Sequence, residues 1–521
     1  MRHATRFGSG TLISRFAGMT RDVLMAAILG SGEHVAAFFM AFRFSNIMRR
    51  ILGEGAMQAA MVPVFEELRH KSEQEAGLFF RATWVAVSLV LLVLIVLVES
   101  ALGITLFFVE QPQTAEILRL TMFMMPGLLF ICWYGIQAAL CTCYGTFFVP
   151  AAAPAAFNLL WITCLLFSKG APADETVVLL SGTIVLAYAL QWAAVTPATW
   201  SMLRQVLGRN WWRAPWGSLA PLKRLVAPLT LGLVGVSATQ LNSAMDAVFA
   251  RIADSSGPAY LWYAVRMEQV PVGMIGVALS SAALPVLARC LQQGRSQEFS
   301  DLVRASLIRS GQALLCFSAI FFACGFSLIE LVFCRGAFCR AAAGETTLCL
   351  WAYALGLLPQ TWVLLLTPAY YAAQDYRRPS VAALWALGAN LLLNIALVYG
   401  FGLGAVSIAL ATGLASLINL WWLVRPHPHL LSKEVFFPIL RFAGPLLIGS
   451  ALGLGIGWVL QDPTLYLLAG RMPIGESDPF LWKAIRLSCE SIGMAGGFLL
   501  GGGWRRWRAP LDEVHAPAVM T

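Results

Sequence analysis

The sequence predicts an all-α polytopic membrane protein of about fourteen transmembrane helices, arranged as two six-helix lobes related by a pseudo-two-fold axis plus two C-terminal helices. Three observations carry that prediction. The 521 residues are 59% hydrophobic and only 12% charged, about half the charge of a soluble chain, with a mean hydropathy of +0.72. The apolar residues come in long blocks, such as 82–109 and 179–195, close to the roughly 20 residues that a hydrocarbon core requires. Lys and Arg, finally, collect in alternate loops.

Reading apolar blocks against polar breaks places the spans near 7–29, 34–64, 79–108, 116–144, 151–168, 176–203, 225–252, 258–288, 303–333, 346–372, 380–400, 404–424, 436–460 and 482–503. An even count puts both termini on one side. With the N-terminus cytoplasmic, inner loops hold Arg69, Lys71, Arg204, Arg209, Arg213, Lys223, Arg224, Arg289, Arg295, Arg377, Arg378, Arg425 and Lys433, and the tail adds Arg505, Arg506 and Arg508. Outer loops hold Lys169, Arg251, Arg335, Arg340 and Arg471. This asymmetry obeys the positive-inside rule and supports both count and orientation. Arg15, Arg21 and Asp22 interrupt the first block, which therefore reads as a retained helix and not a cleaved signal. The net charge of +9 is topological on this reading, not a nucleic-acid surface.

The chain repeats itself. Ala41-Phe42-Arg43 is echoed by Ala264-Val265-Arg266, and Asp22 by Asp246, at an offset of about 223 residues, or six spans. That is a parallel repeat with its axis along the membrane normal. The expected layout is an N-lobe over 1–215, a C-lobe over 216–432, two further helices over 433–505 and a cytoplasmic tail over 506–521.

Eleven cysteines do not make a metal or redox protein. Most lie in apolar blocks, where Cys behaves as a small hydrophobe. Cys334 and Cys339 flank a short external loop and leave a disulfide open. His427-Pro428-His429 reads as a solvated linker. Nothing resembles a zinc site.

The first two spans are unlike the rest, because Arg15, Arg21, Asp22, Arg43, Arg49, Arg50 and Glu54 fall within them. Five arginines facing lipid would cost roughly 12–17 kcal/mol in sum, so they are expected to face a hydrated interior. Arg15 and Asp22 are seven residues apart, as are Arg43 and Arg50, and each pair shares a helical stripe. Arg50 and Glu54 are four apart and can pair. Arg21 and Asp22 sit on different faces, so one of them is expected to point to a neighbouring helix. The second lobe adds Arg266 with Glu268 and Gln269. Guanidinium offers fixed bidentate donors suited to pyrophosphate or several carboxylates.

Ser14-Arg15-Phe16-Ala17-Gly18-Met19-Thr20-Arg21-Asp22, then Ala37-Phe38-Phe39-Met40-Ala41-Phe42-Arg43, and Asn46-Ile47-Met48-Arg49-Arg50-Ile51-Leu52-Gly53-Glu54-Gly55-Ala56 together resemble the signature of the MurJ (MviN) family, as does the segment from Pro271 to Leu279. The resemblance implies a lipid II flippase of the bacterial inner membrane, of the MOP superfamily, working by alternating access in peptidoglycan synthesis. It implies that Arg15, Arg21, Arg49 and Arg266 bind the cargo and that Ser14, Asp22, Asn46, Arg50, Glu54 and Gln269 organise the cavity. The last two helices would line a groove for the polyprenyl tail. Where the family carries an acid before the Phe-Phe pair, Ala36 or Ala37 stands here, and Glu33 is the nearest acid. Some relatives bind sodium, and Asp246, Asn390 and Asn394 occupy similar places; interhelical hydrogen bonding is the other reading of the two asparagines. No cofactor is expected beyond a coupling ion, sodium or proton. Expected partners are lipid II, membrane lipids and the cell-wall synthesis machinery, with the protein itself a monomer.

Three rivals stand beside this reading. Another MOP-superfamily exporter would carry an oligosaccharide-lipid or a drug, and the latter calls for acidic cavity residues. A polyprenyl-phosphate enzyme would need clustered acids or His. A non-transporting scaffold of cell-wall synthesis would not require buried arginines.

Overall fold

The computed structural model describes residues 2–52, 56–210, 212, 220–427, 432–459, 479–501 and 503, so Glu54 and the tail lie outside the described residues. All regular structure among them is helical. In order, the helices are α1 (Arg2–Leu29), α2 (Glu33–Leu52), α3 (Ala56–Lys71), α4 (Glu73–Phe108), α5 (Pro112–Met124), α6 (Gly127–Cys143), α7 (Phe148–Ala152), α8 (Pro154–Phe167) and α9 (Ala173–Leu207). There follow α10 (Ala220–Ala253), α11 (Gly257–Pro271), α12 (Ala278–Gln292), α13 (Ser296–Val332), α14 (Arg340–Ala372), α15 (Arg377–Ile395), α16 (Val406–Val424), α17 (Lys433–Val459) and α18 (Pro479–Leu500). Each of the fourteen stretches read from the sequence overlaps at least one of these helices.

By length and apolarity, eight described runs can cross a membrane, or nine when the bent pair α5–α6 is taken as one span. Helices α1, α2 and α18 carry more charge: Arg15, Arg21 and Asp22 in the first, Arg43, Arg49 and Arg50 in the second, Lys483, Arg486 and Glu490 in the last. Lipid as solvent explains the surface of α4, where Leu89, Val93, Val96, Leu97, Ile104 and Phe107 are all exposed; in water such a stripe would be an aggregation hazard.

Chain compactness divides the protein into two units, Met1–Val248 and Phe249–Thr521, the division falling within α10. In the first unit, Met61 and Phe65 of α3 pack with Phe79 and Phe80 of α4, Ile136 and Leu140 of α6 and Leu203 of α9. Between α5 and α6 the axis bends by 44°, where Pro126 brings no N–H to continue the ladder. In the second unit, Leu307 of α13, Trp362 of α14, Leu423 of α16 and Ile439 of α17 form one core.

A π-type turn covers Val272–Val277, between α11 and α12 and directly after Pro271. Such a turn is a usual device for re-aiming a helix. Pro359 and Pro368, by contrast, lie within the unbroken α14. Helices α17 and α18 touch at bare backbone: a Cβ on Gly497 would fall 2.7 Å from Gly449 Cα. Small residues permit this close approach where no hydrophobic force drives helices together. All eleven cysteines are free thiols, Cys334 and Cys339 included.

Candidate arginine site

The arginines of the first unit stand in three different settings. Arg15 is exposed and lines, with Ser14, a cleft of about 280 Å³ walled by α6, α7 and the start of α8, including Tyr134, Thr142 and Pro150. The Tyr134 hydroxyl donates to the Pro150 carbonyl at 2.7 Å, which fixes one wall of that cleft.

Arg21 is buried. Its Nε and Nη2 both donate to Asp22 Oδ1, at 3.0 and 2.8 Å, and its Nη1 donates to Asn158 Oδ1 on α8 at 3.0 Å. The guanidinium also lies 4.4 Å from the centre of the Trp161 ring, a cation–π distance. Asn158 Nδ2 in turn donates to the Ser14 carbonyl at 3.3 Å. Arg21 therefore does reach a neighbouring helix, as its position suggested, but it also holds the adjacent Asp22, because its long stem spans the angle between their faces. Around it, Phe38 and Phe42 of α2 meet Trp161 edge-on at 5.4 and 5.1 Å.

Arg49, at the end of α2, is half-buried, and its Nε donates to Asn46 Oδ1 at 2.5 Å. Asn46, one turn earlier, thus orients the guanidinium. Arg50 is exposed. Arg43 is half-buried and its Nη1 lies 3.5 Å from the Ser243 carbonyl. Ala36 and Ala37 are fully buried, so the packed core of α2 has no acid there. Glu33 does not replace it: exposed in the first turn, it accepts from Gln113 Nε2 at 3.0 Å.

In the second unit Arg266 is half-buried. Its guanidinium covers the Trp262 ring at 4.3 Å and its Nη1 donates to Gln269 Oε1 at 3.2 Å. Glu268 is buried, while Gln269 is exposed. Asn390 and Asn394 are both completely buried. Asn394 Nδ2 donates to Asn390 Oδ1 at 2.7 Å, and Asn390 Nδ2 to Thr412 Oγ1 of α16 at 3.4 Å. Asp246, in the first unit, is buried and accepts from Asn242 Nδ2 at 3.4 Å.

Residues 25–468 match the sequence profile of the family described as lipid II flippase MurJ. The chain belongs to the MurJ family. This is a family of transporters, not of enzymes. A probable lipid II flippase MurJ of Chlamydia pneumoniae is 25% identical over 490 residues, covering 93% of this chain and 87% of its own. Its counterpart in Chlamydia muridarum is 30% identical over 417 residues, 80% of this chain and 76% of that one. Among solved structures, a lipid II flippase MurJ in an inward closed conformation superposes with a TM-score of 0.73 at 21% identity, over 96% of this chain and 98% of that one. An inward-facing multidrug-resistance MATE transporter of the MOP superfamily gives 0.63 at 12% identity, over 82% of this chain and 99% of that one. The fold of this chain is thus shared with a MATE transporter as well as with a MurJ flippase.

One charged cluster escaped the sequence reading. In the second unit, Arg486 of α18 donates through Nε to Glu490 Oε1 at 2.9 Å and through Nη1 to Glu330 Oε2 of α13 at 3.3 Å. Arg486 and Glu490 are buried. The signal was present as an Arg and a Glu four residues apart in an apolar helix.

Proposed function

We propose that this protein moves lipid II, the undecaprenyl-pyrophosphate-linked peptidoglycan precursor, from the cytoplasmic to the periplasmic leaflet of the bacterial inner membrane by alternating access. The observation that carries this reading is the set of arginines on α1, α2 and α11, helices that the sequence pattern places among the membrane spans, within a chain of the MurJ family. Arg15, beside an open cleft, Arg49, oriented by Asn46, and Arg266, stacked on Trp262, are the groups offered to the pyrophosphate and peptide carboxylates. A guanidinium stays charged at every physiological pH and fits phosphate oxygens in pairs. Arg21 assists differently: held by Asp22, Asn158 and Trp161, it fixes α1 on α8 and so sets the position of Arg15.

The two lobes, 1–215 and 216–432, are the rocking bodies of this mechanism, with both termini cytoplasmic, and the tail of the cargo follows the last two helices. The sequence carries no ATP-binding motif, and an outside-positive potential favours outward movement of an anionic head. A monovalent ion, sodium or proton, is the proposed coupling partner. Asp246, Asn390 and Asn394 are the residues that would hold sodium, since their oxygens suit a hard cation. The protein acts as a monomer in this reading and delivers its cargo to the cell-wall synthesis machinery.

The test is complementation of a strain depleted of its own flippase, paired with a lipid II flipping assay in vesicles. Arg15→Ala, Arg49→Ala and Arg266→Ala are expected to fail in both while reaching the membrane in normal amount. Growth and export sustained by all three would remove the arginines from the transport site.

A further inference from the structure

Within the second unit, residues of α13, α14, α17 and α18 line a cavity of about 760 Å³ whose charged groups the transport reading does not use. Glu490 lines it and is 1% exposed. Its Oε1 is doubly satisfied, by Arg486 Nε at 2.9 Å and by Ser327 Oγ at 2.7 Å. Its Oε2 has no hydrogen-bond partner among the described residues. Leaving a carboxylate oxygen unpaired in a dry site is costly, and Glu490 is one of the residues that line a cavity with ample room. A backbone that gives space to the same carboxylate supports a built site: a Cβ on Gly457 would collide with Glu490 Oε1.

The remaining lining states what fits. Arg340, on the rim and 61% exposed, faces Glu330 Oε1 at 3.7 Å and has donors to spare for an anion. Around the opening, Leu348, Leu454 and Trp458 are exposed, as a mouth turned to acyl chains would be. An acceptor oxygen inside, a guanidinium at the rim and an apolar mouth describe the complement of a zwitterion on a hydrocarbon anchor. A bare metal cation fits less well, since one carboxylate oxygen beside Arg486 falls far short of the six or more oxygens such ions collect. We propose that this cavity binds the head group of an amine-bearing zwitterionic phospholipid, its ammonium on the Glu490 carboxylate and its phosphate on Arg340. The inference does not rest on the identity of the transported cargo.

The test is native mass spectrometry of the purified full-length chain, offered equal amounts of phosphatidylethanolamine, phosphatidylcholine and phosphatidylglycerol. The wild type is expected to retain phosphatidylethanolamine about tenfold over each of the others, the effect of one charge-assisted hydrogen bond. Phosphatidylcholine has no N–H to give, and phosphatidylglycerol has no cation. Glu490→Gln is expected to erase the preference. Gly344→Leu fills the cavity from a position whose Cβ would meet nothing within 4 Å, so it is expected to remove phosphatidylethanolamine without lowering the thermal midpoint. Equal retention of the three lipids by the wild type overturns the proposal, as does a preference that survives Gly344→Leu. Soluble phosphoethanolamine that competes as well as the lipid would overturn the lipid assignment in favour of a free metabolite.

Discussion

Arg21 Nη1 and Asn158 Oδ1 meet at 3.0 Å across 137 residues of sequence, tying the first helix of the first unit to α8. The same guanidinium neutralises Asp22 beside it, so the three residues form one buried unit. Arg21→Ala withdraws the cation from a buried carboxylate and is expected to cost about 3–5 kcal/mol. Asn158→Ala, which removes one acceptor, is expected to cost about 1–3 kcal/mol. Arg21→Lys keeps the charge but cannot span Asp22 and Asn158 together, and is expected to fall between. Thermal unfolding in detergent, with the double variant closing the cycle, checks the coupling; strict additivity of Arg21→Ala and Asn158→Ala would show that the contact contributes nothing.

A second link within the first unit is exposed and pH-dependent. Glu67 of α3 receives Arg224 Nη2 at 2.7 Å and Lys71 Nζ at 3.1 Å. These bonds, from Arg224 first and Lys71 second, hold its carboxyl below the ordinary 4.5. A lowered folded-state pKa gives stability that is present above 4.5 and lost as the pH falls through the folded value. The thermal midpoint of the wild type should therefore exceed that of Glu67→Gln by a small, constant margin above about pH 5.5. That margin should close in more acidic buffer and shrink in high salt. A margin that widened toward acid would contradict the assignment.

The contact of α17 with α18 supplies a prediction about packing. A Cβ on Gly449 would lie 2.5 Å from the Met494 carbonyl oxygen, and backbone cannot give way as a side chain can. Gly449→Ala is expected to cost about 1–3 kcal/mol through displacement of one helix, although alanine is the better helix former. Gly455→Ala on the same helix, where a Cβ meets nothing within 4 Å, is the control and should be neutral or mildly stabilising. Thermal midpoints of the two variants, compared side by side, decide it.

The fold class was legible because lipid imposes a coarse code: the length of the apolar blocks and their low charge follow from the solvent, not from packing detail. Contacts made between helices far apart in sequence were not legible. Nothing in the segment around Ser14 announces that Asn158 will bond both its carbonyl and Arg21, since Asn158 sits in an apolar block that reads as plain span. The pairing expected of Arg50 with Glu54 falls on a residue outside those described. The pairing of Arg486 with Glu490 had the same four-residue spacing, and only the partner Glu330, 156 residues away, required the fold.

Arg266 allows the role of charge to be separated from that of shape. Its guanidinium rests on Trp262 at 4.3 Å and donates to Gln269 at 3.2 Å, so its plane is fixed before any cargo arrives. Lysine would keep the positive charge but present a rotating point donor with no flat face to stack. If pre-set geometry matters to the cargo, Arg266→Lys should lose most of the export that Arg266→Ala loses, at unchanged expression. Trp262→Leu, which keeps the arginine but removes its platform, should lose less: a cation–π contact of about 0.5–2 kcal/mol corresponds to roughly 2- to 30-fold. Initial rates of lipid II flipping in vesicles, measured beside thermal midpoints to exclude unfolding, give the order. Full activity in Arg266→Lys would mean that this position contributes charge alone, and the bidentate reading of the site would then fall on Arg15 and Arg49.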